Sequence, residues 1–100
     1  MLFVCFALLS FDALQAVTID VGGTTSGTWN VGTRTYTVSG TDNISATELI
    51  ANLNGGNVTI SVTSGNITLV AGNNIASTAG NILTINSTGD ITINAMINLT

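Results

Sequence analysis

The sequence predicts an all-β fold, a parallel β-helix (solenoid) with coils of about 24 residues and one short N-terminal helix. Three observations support this prediction. Thr, Ile and Val, which favour strands, are abundant, and Gly and Asn, which favour turns, lie between them. The chain contains no proline. Its second half resembles itself at a constant shift along the chain, from Gly56 to Gly80 and from Gly65 to Gly89, which indicates a structural repeat.

The repeat is defined by glycines that are followed by Asn or Asp. Gly56-Asn57-Val58 recurs as Gly80-Asn81-Ile82, and the segment 65–69 recurs as 89–93. Such pairs readily form tight corners with positive φ. We therefore expect residues 56–100 to hold two copies of the repeat, the second incomplete. The predicted structural corners are Gly56, Asn57, Gly65, Asn66, Gly80, Asn81, Gly89 and Asp90.

Between these corners, apolar residues alternate with hydroxyl residues. Val58, Ile60 and Val62 form one side of a predicted strand, and Thr59 and Ser61 form the other. Successive copies are expected to stack in parallel, about 4.8 Å apart. The segment 82–85 is one residue out of phase with 58–61, so we expect a bulge or a slipped corner there, with Thr59 opposite Leu83.

Residues 1–16 have features of a secretory signal peptide. An apolar run over 2–9 precedes a small residue, Ala16, and cleavage is expected between Ala16 and Val17. A buried first strand or helix of the mature protein is the alternative. A membrane span is disfavoured, because a bilayer requires about 20 apolar residues. Cleavage would remove Cys5, the only cysteine, so no disulfide is expected in the mature chain.

Residues 17–55 are predicted to form an N-terminal cap or irregular coil with a short helix over 45–54. Ser45 and Glu48 match a capping box, and Leu49, Ile50 and Leu53 lie on the apolar side of the helix. The ends of a stack of repeats need atypical elements to cover them. Trp29, Tyr36 and the Leu49/Leu53 face could supply that cover or be ordinary core residues.

Several function classes are disfavoured by the charged residues. The chain has no His, no Lys and one Arg, so it lacks the cations that neutralise nucleic-acid phosphates. A His-based triad or a His-ligated metal site is impossible without histidine. The acidic residues are widely spaced. We predict no catalytic, cofactor-binding or metal-binding residues, no cofactor and no enzymatic activity.

The run from Asn43 to Ile60, followed by Gly-Asn-Ile-Thr-Leu and Gly-Asp-Ile-Thr-Ile, resembles the filamentous-haemagglutinin-type adhesins of bacteria. The resemblance covers about residues 40–100, and 17–40 more loosely. It implies a right-handed β-helix in a secreted or cell-surface protein, associated with the outer membrane, that mediates attachment. Because the chain lacks proline, it lacks the Asn-Pro-Asn motifs of two-partner secretion domains, so the secretion route stays open.

The expected function is therefore structural, as a segment of an adhesin that attaches to glycans or matrix proteins of a host or surface. An outer-membrane secretion partner is possible, and further repeats are expected beyond Thr100. One alternative is an ice-binding, Thr-rich β-solenoid, suggested by Thr33, Thr35 and Thr37 but weakened by the expected pairing of Thr59 with Leu83. A second alternative is a non-catalytic fragment of a polysaccharide-degrading β-helix protein.

Overall fold

The computed structural model describes residues 16–20 and 25–100. In this part of the chain a single helix, α1 (Ala46–Gly55), accompanies ten short strands. The strands are β1 (Ala16–Asp20), β2 (Thr28–Asn30), β3 (Thr35–Val38), β4 (Asn43–Ser45), β5 (Val58–Val62), β6 (Asn66–Leu69), β7 (Ile75–Ala76), β8 (Leu83–Ser87), β9 (Ile91–Ile93) and β10 (Ile97–Asn98).

The strands form three sheets. One sheet has the order β4-β1-β6-β9, a second has the order β2-β3-β5-β8, and a third consists of β7 and β10. Within each sheet the pairs are parallel, except that β2 and β3 pair antiparallel.

The prediction of an all-β, right-handed β-helix is wrong. The described residues form a small α/β-like domain with mixed parallel and antiparallel sheets and one helix. The repeat on which the prediction rested covers only 56–100, whereas the first half contains the β2–β3 hairpin. Asn30 favours the hairpin turn, because its side-chain oxygen accepts hydrogen bonds from the main-chain N–H groups of Gly32 and Thr33.

Helix α1 is an integral part of the core. Ser45 lies at its N-cap and accepts a hydrogen bond from the main-chain N–H of Glu48 at 3.3 Å. Ala46, Leu49 and Leu53 are fully buried, and the helix packs against β4 and β7. The reciprocal half of a capping box is not formed, because the main-chain N–H of Ser45 donates to the Thr25 hydroxyl at 2.9 Å, and the Glu48 carboxylate accepts from the Tyr36 hydroxyl. No helix among the described residues is long and apolar enough to cross a lipid bilayer.

Residues 56–79 and 80–100 lie side by side through parallel strand pairs. Ile67 pairs with Ile91, which is the offset of the glycine repeat, whereas Val58 pairs with Leu83, one position further along the chain than the repeat predicts. The expected pairing of Thr59 with Leu83 is therefore wrong, and Thr59 pairs with Thr84. The extra residue lies in the corner before β8, where the Asn57 side-chain oxygen accepts from the main-chain N–H of Ile82 at 2.9 Å.

The core is built from apolar side chains that point inward from all three sheets and from α1. Burial of such side chains drives folding, at about 25 cal/mol per Å² of apolar surface. The buried residues are Val17, Ile19, Tyr36, Val38, Ile44, Ala46, Leu49, Leu53, Val58, Ile60, Val62, Ile67, Leu69 and Ile75.

The predicted signal peptide falls almost entirely on residues 1–15, which lie outside the described part of the chain. Ala16 and Val17, the predicted cleavage residues, are the first two residues of β1. The Val17 side chain is fully buried. Cleavage between them stays a prediction.

Candidate binding face

The outward surface of the β2-β3-β5-β8 sheet consists of uncharged polar side chains, and we call it the ladder face. It arises because strand residues alternate between the core and solvent. Tyr36, Ile60 and Ile85 point inward from three of these strands, so their neighbours point outward. The ladder face comprises Thr28, Asn30, Thr35, Thr37, Thr59, Ser61, Thr84 and Asn86.

Strand register arranges the ladder face in two columns that run across the strands. One column contains Asn30, Thr35, Thr59 and Thr84, and the other contains Thr28, Thr37, Ser61 and Asn86. Neighbouring members of a column lie on adjacent strands, about 4.8 Å apart. Members of the two columns on one strand are two residues apart, about 6.6 Å. The face is thus a regular two-dimensional array of hydroxyl and amide groups.

Most of these polar groups are free to bind a ligand. Within the described part of the chain, the side chains of Thr37, Thr59, Ser61, Thr84 and Asn86 make no hydrogen bond to another residue. A hydroxyl group both donates and accepts hydrogen bonds, so each can serve either kind of ligand group. The ladder face therefore offers unused hydrogen-bonding groups on a strand framework.

Beneath the face, the buried Tyr36 side chain joins a polar network with two half-buried side chains of α1. The Tyr36 hydroxyl donates to the Glu48 carboxylate at 3.0 Å and accepts from the Asn52 amide at 2.6 Å, which joins β3 to α1. Burial raises the pKa of this hydroxyl well above its ordinary value, because tyrosinate would lose its hydration. The Asn52 hydrogen bond partly opposes that rise, and Glu48 adds to it.

The only cationic side chain of the protein, that of Arg34, contacts the main chain and an aromatic ring at the border of the ladder face. Arg34 has a positive φ of 54° at the end of the β2–β3 turn. Its Nε donates to the carbonyl of Asn57 at 2.9 Å, and its guanidinium also donates to the carbonyl of Asn52. Its guanidinium carbon lies 5.7 Å from the centre of the Trp29 ring. Arg34 therefore ties the hairpin to the C-terminal end of α1.

None of the predicted corner residues belongs to the ladder face, and all of them lie outside the strands except Asn66, which is the first residue of β6. Gly65 and Gly80 have positive φ values of 90° and 77°, whereas Gly56 follows α1 in an extended conformation. The Asn66 side-chain oxygen accepts a hydrogen bond from the main-chain N–H of Asp90. The Asn81 side chain donates to the carbonyl of Leu53. Gly89 packs closely against the corner that contains Gly65.

Sequence reasoning missed Thr84 and Asn86 as members of the array. Aligning the glycines placed Leu83 opposite Thr59. The signal that could have corrected this was the alternation of Leu83 and Ile85, which puts Thr84 and Asn86 on the outward side.

Neither a metal-binding cluster nor a pocket was found in the described residues. Residues 16–20 and 25–100 contain no group of three or more His, Cys, Asp or Glu side chains that could hold a metal ion. No cavity was detected in this part of the molecule. Comparison of the chain with models of protein families, with curated proteins and with solved structures gave no match.

Proposed function

We propose that this chain is a structural attachment segment of a secreted or cell-surface protein, and that it binds uncharged glycans through the ladder face. The observation that carries the proposal is the in-register column of Thr35, Thr59 and Thr84 beside that of Thr37, Ser61 and Asn86. Attachment to an extended ligand needs a repeated surface more than an enclosed site. Weak contacts that repeat along the ligand add up through multivalency.

The chemistry of the face favours a neutral, hydroxyl-rich ligand. No charged side chain belongs to the ladder face, so it offers an acidic or basic polymer no opposite charge. Hydroxyl and amide groups can exchange donor and acceptor hydrogen bonds with sugar hydroxyls. A polysaccharide also repeats along its length, as the columns do across the strands.

The test compares two matched double variants in co-sedimentation with insoluble cellulose and chitin. T59V/T84V removes two adjacent hydroxyls from the ladder face and keeps β-branched side chains of similar shape. T68V/T92V removes two adjacent hydroxyls from the outward side of β6 and β9. In each double variant one of the two threonines is half-buried and the other is exposed. Soluble heparin serves as the charged probe.

The proposal predicts that the wild type and T68V/T92V bind one of the insoluble glycans alike. T59V/T84V should bind it at least about fivefold more weakly, because each lost hydrogen bond is worth roughly 0.5–1.5 kcal/mol. Equal binding by both double variants, or binding to heparin alone, would contradict the proposal.

A second candidate function is ice binding, favoured by the column of Thr35, Thr59 and Thr84. The expected pairing of Thr59 with Leu83 argued against it, and that pairing is absent. The column is short, however, and Ser61 and Asn86 interrupt the threonines beside it. Thermal hysteresis in the wild type that T59V/T84V abolishes, without retention on either glycan, would replace attachment with ice binding.

A further inference from the structure

The ladder face offers hydrogen-bonding groups and no aromatic ring. Its side chains are those of threonine, serine and asparagine, all of them short. The two rings carried by its strands, Trp29 and Tyr36, lie on the opposite side of the sheet, where their centres are 4.5 Å apart and both pack against the core. The face is the outward side of a sheet, so a ligand contacts it from one side only. A sugar on this face is therefore held chiefly by hydrogen bonds.

Contacts of this kind hold an isolated, soluble glycan chain weakly. A sugar hydroxyl in solution is already bonded to water, so binding exchanges one hydrogen bond for another and the net gain is small. A flexible chain also loses translational, rotational and conformational freedom when it is immobilised. Sites for soluble ligands offset these losses by enclosing the ligand in a concave, largely apolar pocket. An outward polar face does not enclose its ligand in this way.

A glycan chain that is packed in an ordered solid avoids most of these losses. Its position and conformation are fixed before the protein arrives, so binding does not have to immobilise it. Neighbouring chains in the solid also present their hydroxyls in a fixed two-dimensional repeat. Weak contacts that form at the same time across such a repeat add up through multivalency. Hydrogen bonds alone can therefore attach a protein to an ordered solid.

The ladder face is itself a two-dimensional array with fixed spacings. Thr35, Thr59 and Thr84 follow one another in register across β3, β5 and β8. With Asn30 on β2, this column extends over three strand spacings, about 14 Å, and the second column runs beside it at about 6.6 Å. Arg34 ties the β2–β3 hairpin to main-chain carbonyls at the C-terminal end of α1. The face is therefore organised before a ligand binds, in both directions.

We infer that the ladder face binds the surface of an ordered, insoluble polysaccharide, and that isolated chains of the same polymer bind much more weakly. This rests on the proposed function and narrows the ligand from neutral glycans in general to glycans packed in ordered arrays. Chain segments that lie side by side in the solid contact both columns of the face together. Removing the hydroxyls of either column should therefore weaken attachment.

The test presents one polymer in three states to the full 100-residue chain: crystalline cellulose, acid-swollen amorphous cellulose and cellohexaose in solution. Crystalline chitin, swollen chitin and chitohexaose form a parallel series. Co-sedimentation gives a dissociation constant for each solid, and the soluble hexasaccharide is added as a competitor. For the glycan that retains the protein, we expect the crystalline form to bind at least about tenfold more tightly than the swollen form. An excess of the hexasaccharide should leave the protein bound.

Matched double variants then test the two columns separately. T59V/T84V removes two hydroxyls from one column, and T37V/S61A removes two from the other. Each pair joins adjacent strands and has one half-buried and one exposed side chain. Both variants should bind the crystalline form at least about fivefold more weakly, whereas T68V/T92V on the other sheet should bind it like the wild type. Circular dichroism checks that each variant keeps the strand content of the wild type.

The outcomes separate this inference from the proposed function. Equally tight binding to the swollen form, or release by the hexasaccharide, would overturn the inference and leave glycan attachment in place. Crystalline binding that depends on one column only would also overturn it. No retention on any solid, or equal retention by all three double variants, would contradict the proposed function and the inference with it. The wild-type measurements need no variant, so they decide the matter even if a variant does not fold.

Discussion

The side-chain oxygen of Asn66 accepts a hydrogen bond from the main-chain N–H of Asp90 at 2.8 Å. This bond joins two corners that lie one above the other, and it adds to the parallel pairing of β6 with β9. Two other asparagines make equivalent bonds across their corners, Asn57 to Ile82 and Asn74 to Met96. The corners are therefore linked by side chains as well as by strands.

Removing one of these links should weaken the fold. We expect N66A to lower the free energy of unfolding by about 0.5–1.5 kcal/mol, because the N–H of Asp90 loses its partner. The control is N86A, whose exposed side chain makes no hydrogen bond within the described residues, and we expect a change within about 0.5 kcal/mol. Urea denaturation measures both. Equal losses in the two variants would mean that the Asn66 bond contributes nothing specific.

Two glycines of the repeat should tolerate asparagine to different degrees. Gly80 has a φ of 77° and open space around an added Cβ, and Asn adopts this region readily, so G80N should cost about 1 kcal/mol or less. At Gly89, an added Cβ would lie 2.6 Å from the carbonyl oxygen of Gly65, so G89N should cost about 1–3 kcal/mol. Thermal unfolding compares them, and a larger loss in G80N would contradict the close approach of the two corners.

The buried Tyr36 should make stability depend on alkaline pH. Its folded pKa is raised above the ordinary 10.0, chiefly by burial and further by Glu48, with Asn52 and Arg34 acting in the opposite direction. A raised folded pKa gives stability that is fully present below pH 10 and is lost as the pH rises through the folded pKa. We therefore expect the free energy of unfolding to fall above pH 10 in the wild type.

Y36F provides the control, because phenylalanine cannot ionise. It should be less stable by about 1–2 kcal/mol at neutral pH, since Glu48 and Asn52 lose their shared partner, and its stability should fall less steeply above pH 10. The chain has one tyrosine and no lysine, so tyrosinate absorbance reports on Tyr36 directly. An equally steep fall in Y36F would assign the alkaline effect to another group.

Local patterns in the sequence predicted several elements of this structure. Alternation of Val58, Ile60 and Val62 with Thr59 and Ser61 predicts a strand with one buried face, and β5 has that burial pattern. Ser45 followed by Glu48 and an apolar stretch predicts a helix start, and α1 begins at Ala46. These features depend on neighbouring residues, so periodicity and capping rules can detect them.

The features that sequence reasoning missed depend on distant residues. In the β2–β3 hairpin Trp29 packs on Tyr36, with ring centres 4.5 Å apart, and no repeat marks that contact. The ladder face depends on whether Thr59 pairs with Leu83 or with Thr84. A one-residue change in register moves every side chain to the opposite side of a strand. The glycine spacing favoured Leu83 as the partner of Thr59. Leu83 and Ile85 can both point toward the core only if Thr59 pairs with Thr84 instead.

The register between Thr59 and Thr84 is the most direct test, because the ladder face exists only if these two side chains are neighbours. Solution NMR can measure it through the nuclear Overhauser effect between their methyl groups, which lie on adjacent strands about 4.8 Å apart. We expect a strong methyl contact between Thr59 and Thr84, and another between Thr59 and Thr35. A methyl contact from Thr59 to Leu83, with none to Thr84, would contradict the account.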